Sequence, residues 1–190
     1  MYRLALILSF TVCVCKGQIE TYQSFFIDHG EVVWSQIYSG EEKTTQKLTE
    51  EVLALLKSKS YISNVQYDSG ELFADISNLK VDYKKYHAKY FQTSTIIRTG
   101  KWFGKLRVSF KDNRYRVIIY GLHFTATQPA RTAGKISMEA HPMSGTINEW
   151  VLTPMRNSFK KSRFKNLDLL HWQLRELFTI YDNSVINTDW

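Results

Sequence analysis

The residues whose types and spacing best suit chemistry are cations. Lys105 and Arg107, then Arg114 and Arg116, alternate with Leu106, Val108, Tyr115 and Val117 on two runs separated by Lys111-Asp112-Asn113. Successive side chains of a strand point to opposite faces. Folded as a hairpin, the four cations share one face, where neighbouring like charges repel. That face suits an acidic ligand, and equally suits neutralisation by Glu71 or Asp75 from an adjoining strand. A second segment, Phe159-Lys160-Lys161-Ser162-Arg163-Phe164-Lys165, puts four cations around two rings. It fits a negatively charged membrane surface, where each nearby cation contributes about 1 kcal/mol, or an exposed loop entering a helix. Tyr83, Lys84, Lys85, Tyr86, Lys89 and Tyr90 interleave rings with cations. Such rings stack on bases or sugars, or cover a sheet while the lysine stems reach outward.

Reactive sets are absent from the sequence. The five histidines are His29, His87, His123, His141 and His171, and no pair has ligand spacing. Zinc catalysis therefore has no support. There is no Gly-x-Ser-x-Gly elbow and no phosphate loop. His171, beside Trp172, is expected off the apolar stripe of its helix, and His123 at a strand end. No catalytic residue, cofactor or metal ligand is assigned. One enzymatic alternative stays open: acids such as Asp75 or Glu71 acting on a polysaccharide, which requires two carboxylates about 5–9 Å apart.

The elements that must position these groups follow from periodicity. Residues 31–38 alternate and read as a strand with apolar side chains on both faces. Thr44 or Thr45 caps a helix of about 14 residues, with Leu48, Val52, Leu55 and Leu56 on its stripe and its end near Ser58. Runs 61–67 and 71–76 alternate around Asp68-Ser69-Gly70, a turn. An irregular excursion covers 78–103, with a short strand expected over Thr93 to Arg98 and a turn at Thr99-Gly100. The cationic hairpin follows, then a loop-rich segment over 125–165 whose first part, 125–146, is rich in Thr, Ala, Gly and Pro. Asn166 is expected to cap a second helix carrying Leu167, Leu170, Leu174, Leu177, Phe178 and Tyr181 as its stripe. Asp168 falls in its first turn, where the helix dipole favours negative charge. The polar tail 183–190 ends on Trp190, the one residue there suited to dock. The sum is an α+β domain over 18–182, with an antiparallel sheet of about five or six strands.

Residues 1–17 predict the compartment. Arg3 supplies a positive start, Leu4 to Cys15 is apolar apart from Ser9 and Thr11, and Lys16-Gly17 closes the run. That is a secretory signal with a cut after Gly17; about 12 apolar residues fall short of the roughly 20 that span a bilayer. An uncleaved anchor and a lipoprotein modified at Cys15 remain as alternatives. Cys13 and Cys15 are the only cysteines, so a cleaved chain has no thiol, disulfide or thiolate metal site. Cleavage removes two cations and no acid, taking the net charge from +7 to about +5. The expected location is periplasmic or extracellular, which argues against nucleic acid as a partner and for acidic ligands, envelope proteins or peripheral contact with an anionic membrane.

Gly30-Glu31-Val32-Val33-Trp34 with Ile37-Tyr38, and Phe110-Lys111-Asp112-Asn113-Arg114-Tyr115-Arg116-Val117, resemble exported Bacteroidota domains of unknown function with a TBP-like fold, over about residues 20–125. The resemblance implies a curved antiparallel sheet packed on a helix, and no enzyme activity. Fold alone does not carry function. The expectation is a non-catalytic binding or structural module of the bacterial cell envelope, working through the basic hairpin face or a groove between the sheet and the 78–103 excursion.

Overall fold

The computed structural model describes residues 20–40, 43–111, 113–132, 135–180 and 185–186. The signal segment with Cys13 and Cys15, Asp112 in the hairpin turn, Tyr181 and Trp190 lie outside the described residues. In chain order the elements are β1 (Thr21–Tyr22), β2 (Phe25–Asp28), β3 (Glu31–Ser39), α1 (Thr45–Lys57), β4 (Ile62–Asp68), β5 (Glu71–Leu79), α2 (Thr95–Thr99), β6 (Lys101–Lys111), β7 (Arg114–Thr132), β8 (Lys135–Thr146), α3 (Ile147–Val151), α4 (Phe164–Phe178) and β9 (Val185–Ile186). One antiparallel sheet runs β1-β2-β3-β7-β6-β5-β4. β8 pairs with the far half of β7, and β9 pairs with β3.

Alternation fixes the faces. Val32, Trp34 and Tyr38 of β3 and Tyr115, Val117 and Ile119 of β7 are buried. The register sets Leu106 against Ile119 and Val108 against Val117, so β6 contributes to the same inner face. α1 starts where the Thr44 hydroxyl accepts the Lys47 amide, and buries Leu48, Val52 and Leu56. α4 lies against the sheet with Leu167, Leu170 and Leu174 fully buried. A helix leaves its last four carbonyls without internal partners. Here two stacked core tyrosines serve them: Tyr38 OH donates to Arg175 O at 3.0 Å, and Tyr115 OH to Phe178 O at 2.6 Å. Burial raises both phenols well above their ordinary pKa, so both remain donors.

The α+β class, the antiparallel sheet and the C-terminal helix stand as expected; the sheet is larger than five or six strands. Residues 125–132 and 135–146, expected as loop, are instead the end of β7 and the whole of β8. Their composition, rich in Thr, Ala, Gly and Pro, reads as loop, but pairing with a neighbouring strand makes them sheet. The face that β7 buries there is set by a bulge: Lys105 opposes Tyr120 while Phe103 opposes His123, so Gly104 faces two residues. Before the bulge residues 115, 117 and 119 are buried; after it Leu122, Phe124 and Ala126 are. Gly121 takes φ +62° there, a conformation that costs other L-residues steric strain. The expected strand at 93–98 is a correction too. The Ser94 hydroxyl accepts the Ile97 amide and starts α2, which buries Ile96 and Ile97. A cap and two buried side chains outweigh the β-propensity of Thr-Ile-Ile. Asn166 does not cap α4; it sits inside the helix, buried.

Candidate binding site

The four hairpin cations do share the outer face of the sheet, because β6 and β7 pair in the register that alternation predicts. β5 lies beside β6 and brings its acids with it: Asp75 opposes Lys105, and Phe73 opposes Arg107. Lys105 Nζ donates to Asp75 Oδ1 at 2.7 Å, and Asn64 Nδ2 to Asp75 Oδ2 at 2.7 Å. Asn64 first and Lys105 second hold the Asp75 carboxyl below its ordinary pKa, and Asp75 in turn raises the Lys105 ammonium. Arg107 Nε stands 3.7 Å from Glu71 Oε1, and the Ser109 hydroxyl donates to the same oxygen. Burial, then Arg107, lowers the Arg116 guanidinium, while Glu71 counters both. Repulsion among the cations is thus offset by the chain's own carboxylates. Glu71 and Asp75 are four residues apart on one strand, about 13 Å along it. That exceeds the spacing of a glycosidase pair, and each acid is already held by neighbours.

The segment 159–165 is divided. Phe159 is buried, its amide donating to Glu20 Oε1 at 3.2 Å, and Phe164 stacks on Tyr22 with centroids 3.9 Å apart. Both rings therefore serve the protein's own packing, which corrects the expected aromatic contribution to a membrane loop. Lys161 and Lys165 stay exposed; Lys160 Nζ donates to Glu149 O at 2.9 Å.

The excursion makes a cleft. It crosses the outward side of α4 and is pinned there at several points. Asp82 N–H donates to Gln173 Oε1 at 2.9 Å, and Ser94 N–H to Asn166 Oδ1 at 2.8 Å. Tyr86 OH donates to Glu176 Oε2 at 2.8 Å, and Lys85 pairs with Glu176 Oε1. Lys85, then Tyr86, holds the Glu176 carboxyl below its ordinary pKa. Between these pins a cleft of about 280 Å³ opens, with Tyr86, His87, Lys89 and Gln92 on one wall and Lys165, Asp168, Leu169 and Trp172 on the other. Tyr86 and Trp172 meet at 5.6 Å, and a second hollow of about 300 Å³ continues past them to Arg175 and Thr179. Trp172 is 40% exposed, a large flat ring open to solvent. Asp168 is held by Tyr22 OH at 2.9 Å and Gln23 Nε2 at 3.3 Å. Burial first and Asp168 second push the Tyr22 phenol up to about 12.

Tyr86 and Lys89 of the expected lysine–aromatic run line this cleft, and Lys165 of the 159–165 segment faces them, but the groove lies between the excursion and α4 rather than between the excursion and the sheet. The sequence does not single out Trp172 as a site residue; like Lys165 it leaves α4 on the side away from its leucine stripe. His171 is a correction. It faces the core, 6% exposed, and its Nδ1 accepts from Trp34 Nε1 at 3.3 Å. Among the described residues no three His, Cys, Asp or Glu side chains gather as a metal site.

No family model matches the sequence, and no curated protein matches it. Two solved structures are similar to the chain. One is a TBP-like protein from Parabacteroides distasonis, at a TM-score of 0.47 and 14% identity, covering 83% of this chain and 97% of that one. The other is a DUF4468 family protein from Bacteroides ovatus, at 0.43 and 10%, covering 82% and 91%. Neither description names an activity.

Proposed function

We propose that the protein is a non-catalytic binding module of the bacterial cell envelope, exported to the periplasm or beyond, that takes a small acidic ligand in the cleft between the excursion and α4. The cleft itself supports this reading: two aromatic rings, two lysines and a carboxylate converge on a space near the lower end of the 300–1,000 Å³ range of ligand sites. Trp172 offers a face for an apolar or sugar ring, and Lys89 and Lys165 offer charge to a carboxylate or phosphate. The hairpin face is the weaker candidate because Asp75 and Glu71 already oppose its lysine and one arginine. Export is part of the proposal and is supported by the charged start and short apolar run of residues 1–17.

Isothermal titration with short galacturonate oligomers, and with galactose oligomers as the neutral control, tests the reading. Binding of the uronates alone is expected, with loss on Trp172→Ala and on Lys89→Glu and none on Arg107→Glu. Binding abolished by Arg107→Glu but indifferent to Trp172→Ala would return the site to the hairpin. No heat with either oligomer would remove acidic saccharides as the ligand.

A further inference from the structure

Two acid-free stretches of the sequence meet at the N-terminal end of α4. Residues 150–167 carry Arg156, Lys160, Lys161, Arg163 and Lys165 and no aspartate or glutamate. Residues 83–111 likewise carry only basic charges, among them Lys89 and Arg98 near that end. Lys165 Nζ donates to Gln92 Oε1 at 3.0 Å, and Ser94 N–H to Asn166. The tip of the excursion therefore stands beside the first turn of α4.

That tip is the short 3-10 turn Tyr90–Gln92, where Phe91 is 96% exposed. Arg98 lies over the Tyr90 ring at 3.8 Å, which adds a cation next to it. The turn 153–158, projecting from the Leu152–Phe159 pairing just before α4, carries Met155 at 84% exposed and Arg156 beside it. Scattered exposed apolar residues are ordinary on a protein surface. Here the two most exposed large ones named above belong to two stretches whose own charges are all basic, one leading into α4 and one lying beside its first turn. Three carboxylates tied to this end accept hydrogen bonds from the protein itself: Glu20 from Phe159 N–H, Glu149 from Thr146 N–H, and Asp168 from Tyr22 OH.

The geometry points to a membrane-docking surface at this end. Phe91 and Met155 enter the interface of an anionic phospholipid bilayer, and Arg156, Lys161 and Arg163 meet the headgroup phosphates. Charge complementarity selects the partner: exposed cations outnumbering carboxylates already held by the protein are attracted to anionic lipid and gain little from a neutral one. Shallow apolar insertion adds to that attraction, and the pairing of the two is what holds a peripheral protein. Glu20, where the described chain begins, is at this same end. Any lipid or anchor retained upstream of it would tether the protein with this surface toward the membrane, although the docking does not require one. The surface shares none of its tested residues with the cleft, so the two readings stand or fall separately.

Co-sedimentation of the full-length protein, as cells process it, with vesicles of phosphatidylcholine alone or mixed with phosphatidylglycerol tests this. Binding to the anionic vesicles is expected, weakening as salt shortens the screening length. Loss of one cation should lower the partition by about fivefold, and the R156E/K161E double variant by well over tenfold. F91S/M155S should weaken binding as well. All four residues are exposed, so thermal melting should be unchanged and separates a binding defect from misfolding. Equal binding to both kinds of vesicle, no binding to either, or anionic binding indifferent to both double variants would overturn the proposal.

Discussion

Asn166 offers the sharpest test of how the excursion is held. Its Oδ1 accepts the Ser94 amide at 2.8 Å, and Ser94 is also the cap that starts α2. Asn166→Ala removes the acceptor and leaves that amide without its partner. A buried donor left unpaired costs about 1–3 kcal/mol. Ser94 is only half-buried, so water reaches it in part and the lower portion of that range applies, about 1–2 kcal/mol. For a chain of this size each kcal/mol shifts Tm by about 2–4 °C, so Tm should fall by roughly 2–8 °C. Asn166→Asp is the control. It keeps an acceptor oxygen and places negative charge in the first turn of α4, where the helix dipole favours it. Its Tm should stay close to that of the parent. Scanning calorimetry measures both. Limited trypsin digestion adds a local reading, because loosening the excursion should speed cleavage at Lys84, Lys85 and Lys89. If the alanine and aspartate variants melt together and trypsin cuts all three proteins at one rate, Asn166 does not hold the excursion.

Acid should weaken the fold through His171. Burial first and Arg175 second hold its imidazole below the ordinary 6.5, so the unfolded chain takes up the proton first. Stability is therefore full above about pH 6.5 and declines as pH falls toward the folded value. Urea midpoints should drop over that window, and a His171→Gln variant with an unchanged slope would refute the assignment. Leu174→Ala, at a fully buried site on α4, should cost about 2–5 kcal/mol in urea unfolding. Phe91→Ala should change stability by less than about 0.5 kcal/mol; comparable losses at both would mean the excursion tip is packed. Gly121→Val forces a branched side chain to φ +62° and should destabilise by about 1–2 kcal/mol, with faster amide exchange around the β6–β7 bulge. Unaltered exchange there would show that the bulge does not depend on glycine.

The strands and helices with unbroken periodicity were legible. Val32, Trp34 and Tyr38 marked β3, Leu48, Val52 and Leu56 marked α1, and the 105–117 alternation placed the hairpin and its cations on one face. The end of β7 and β8 were not, because their Thr, Ala, Gly and Pro content reads as loop, and the bulge at Gly121, which inverts the buried face, has no local signal beyond its glycine. α2 was misread because Thr-Ile-Ile carries β-propensity, while its Ser94 cap and the burial of Ile96 and Ile97 decide the outcome. For the site, the lysine–aromatic run of the excursion and Lys165 were visible, but not that the excursion docks on α4, with Trp172 across from it, rather than on the sheet.

The sequence by itself determined local conformation and charge: which runs alternate, where Thr44 starts a helix, that two long stretches hold cations without acids. Tertiary structure decided what those cations meet. Only the pairing of β5 with β6 sets Asp75 against Lys105, and only the docking of the excursion on α4 brings Lys89 within reach of Trp172. The reason is physical. Periodicity is carried by neighbours a few bonds apart, whereas electrostatic and ring contacts act through space between segments whose separation along the chain says nothing of their distance.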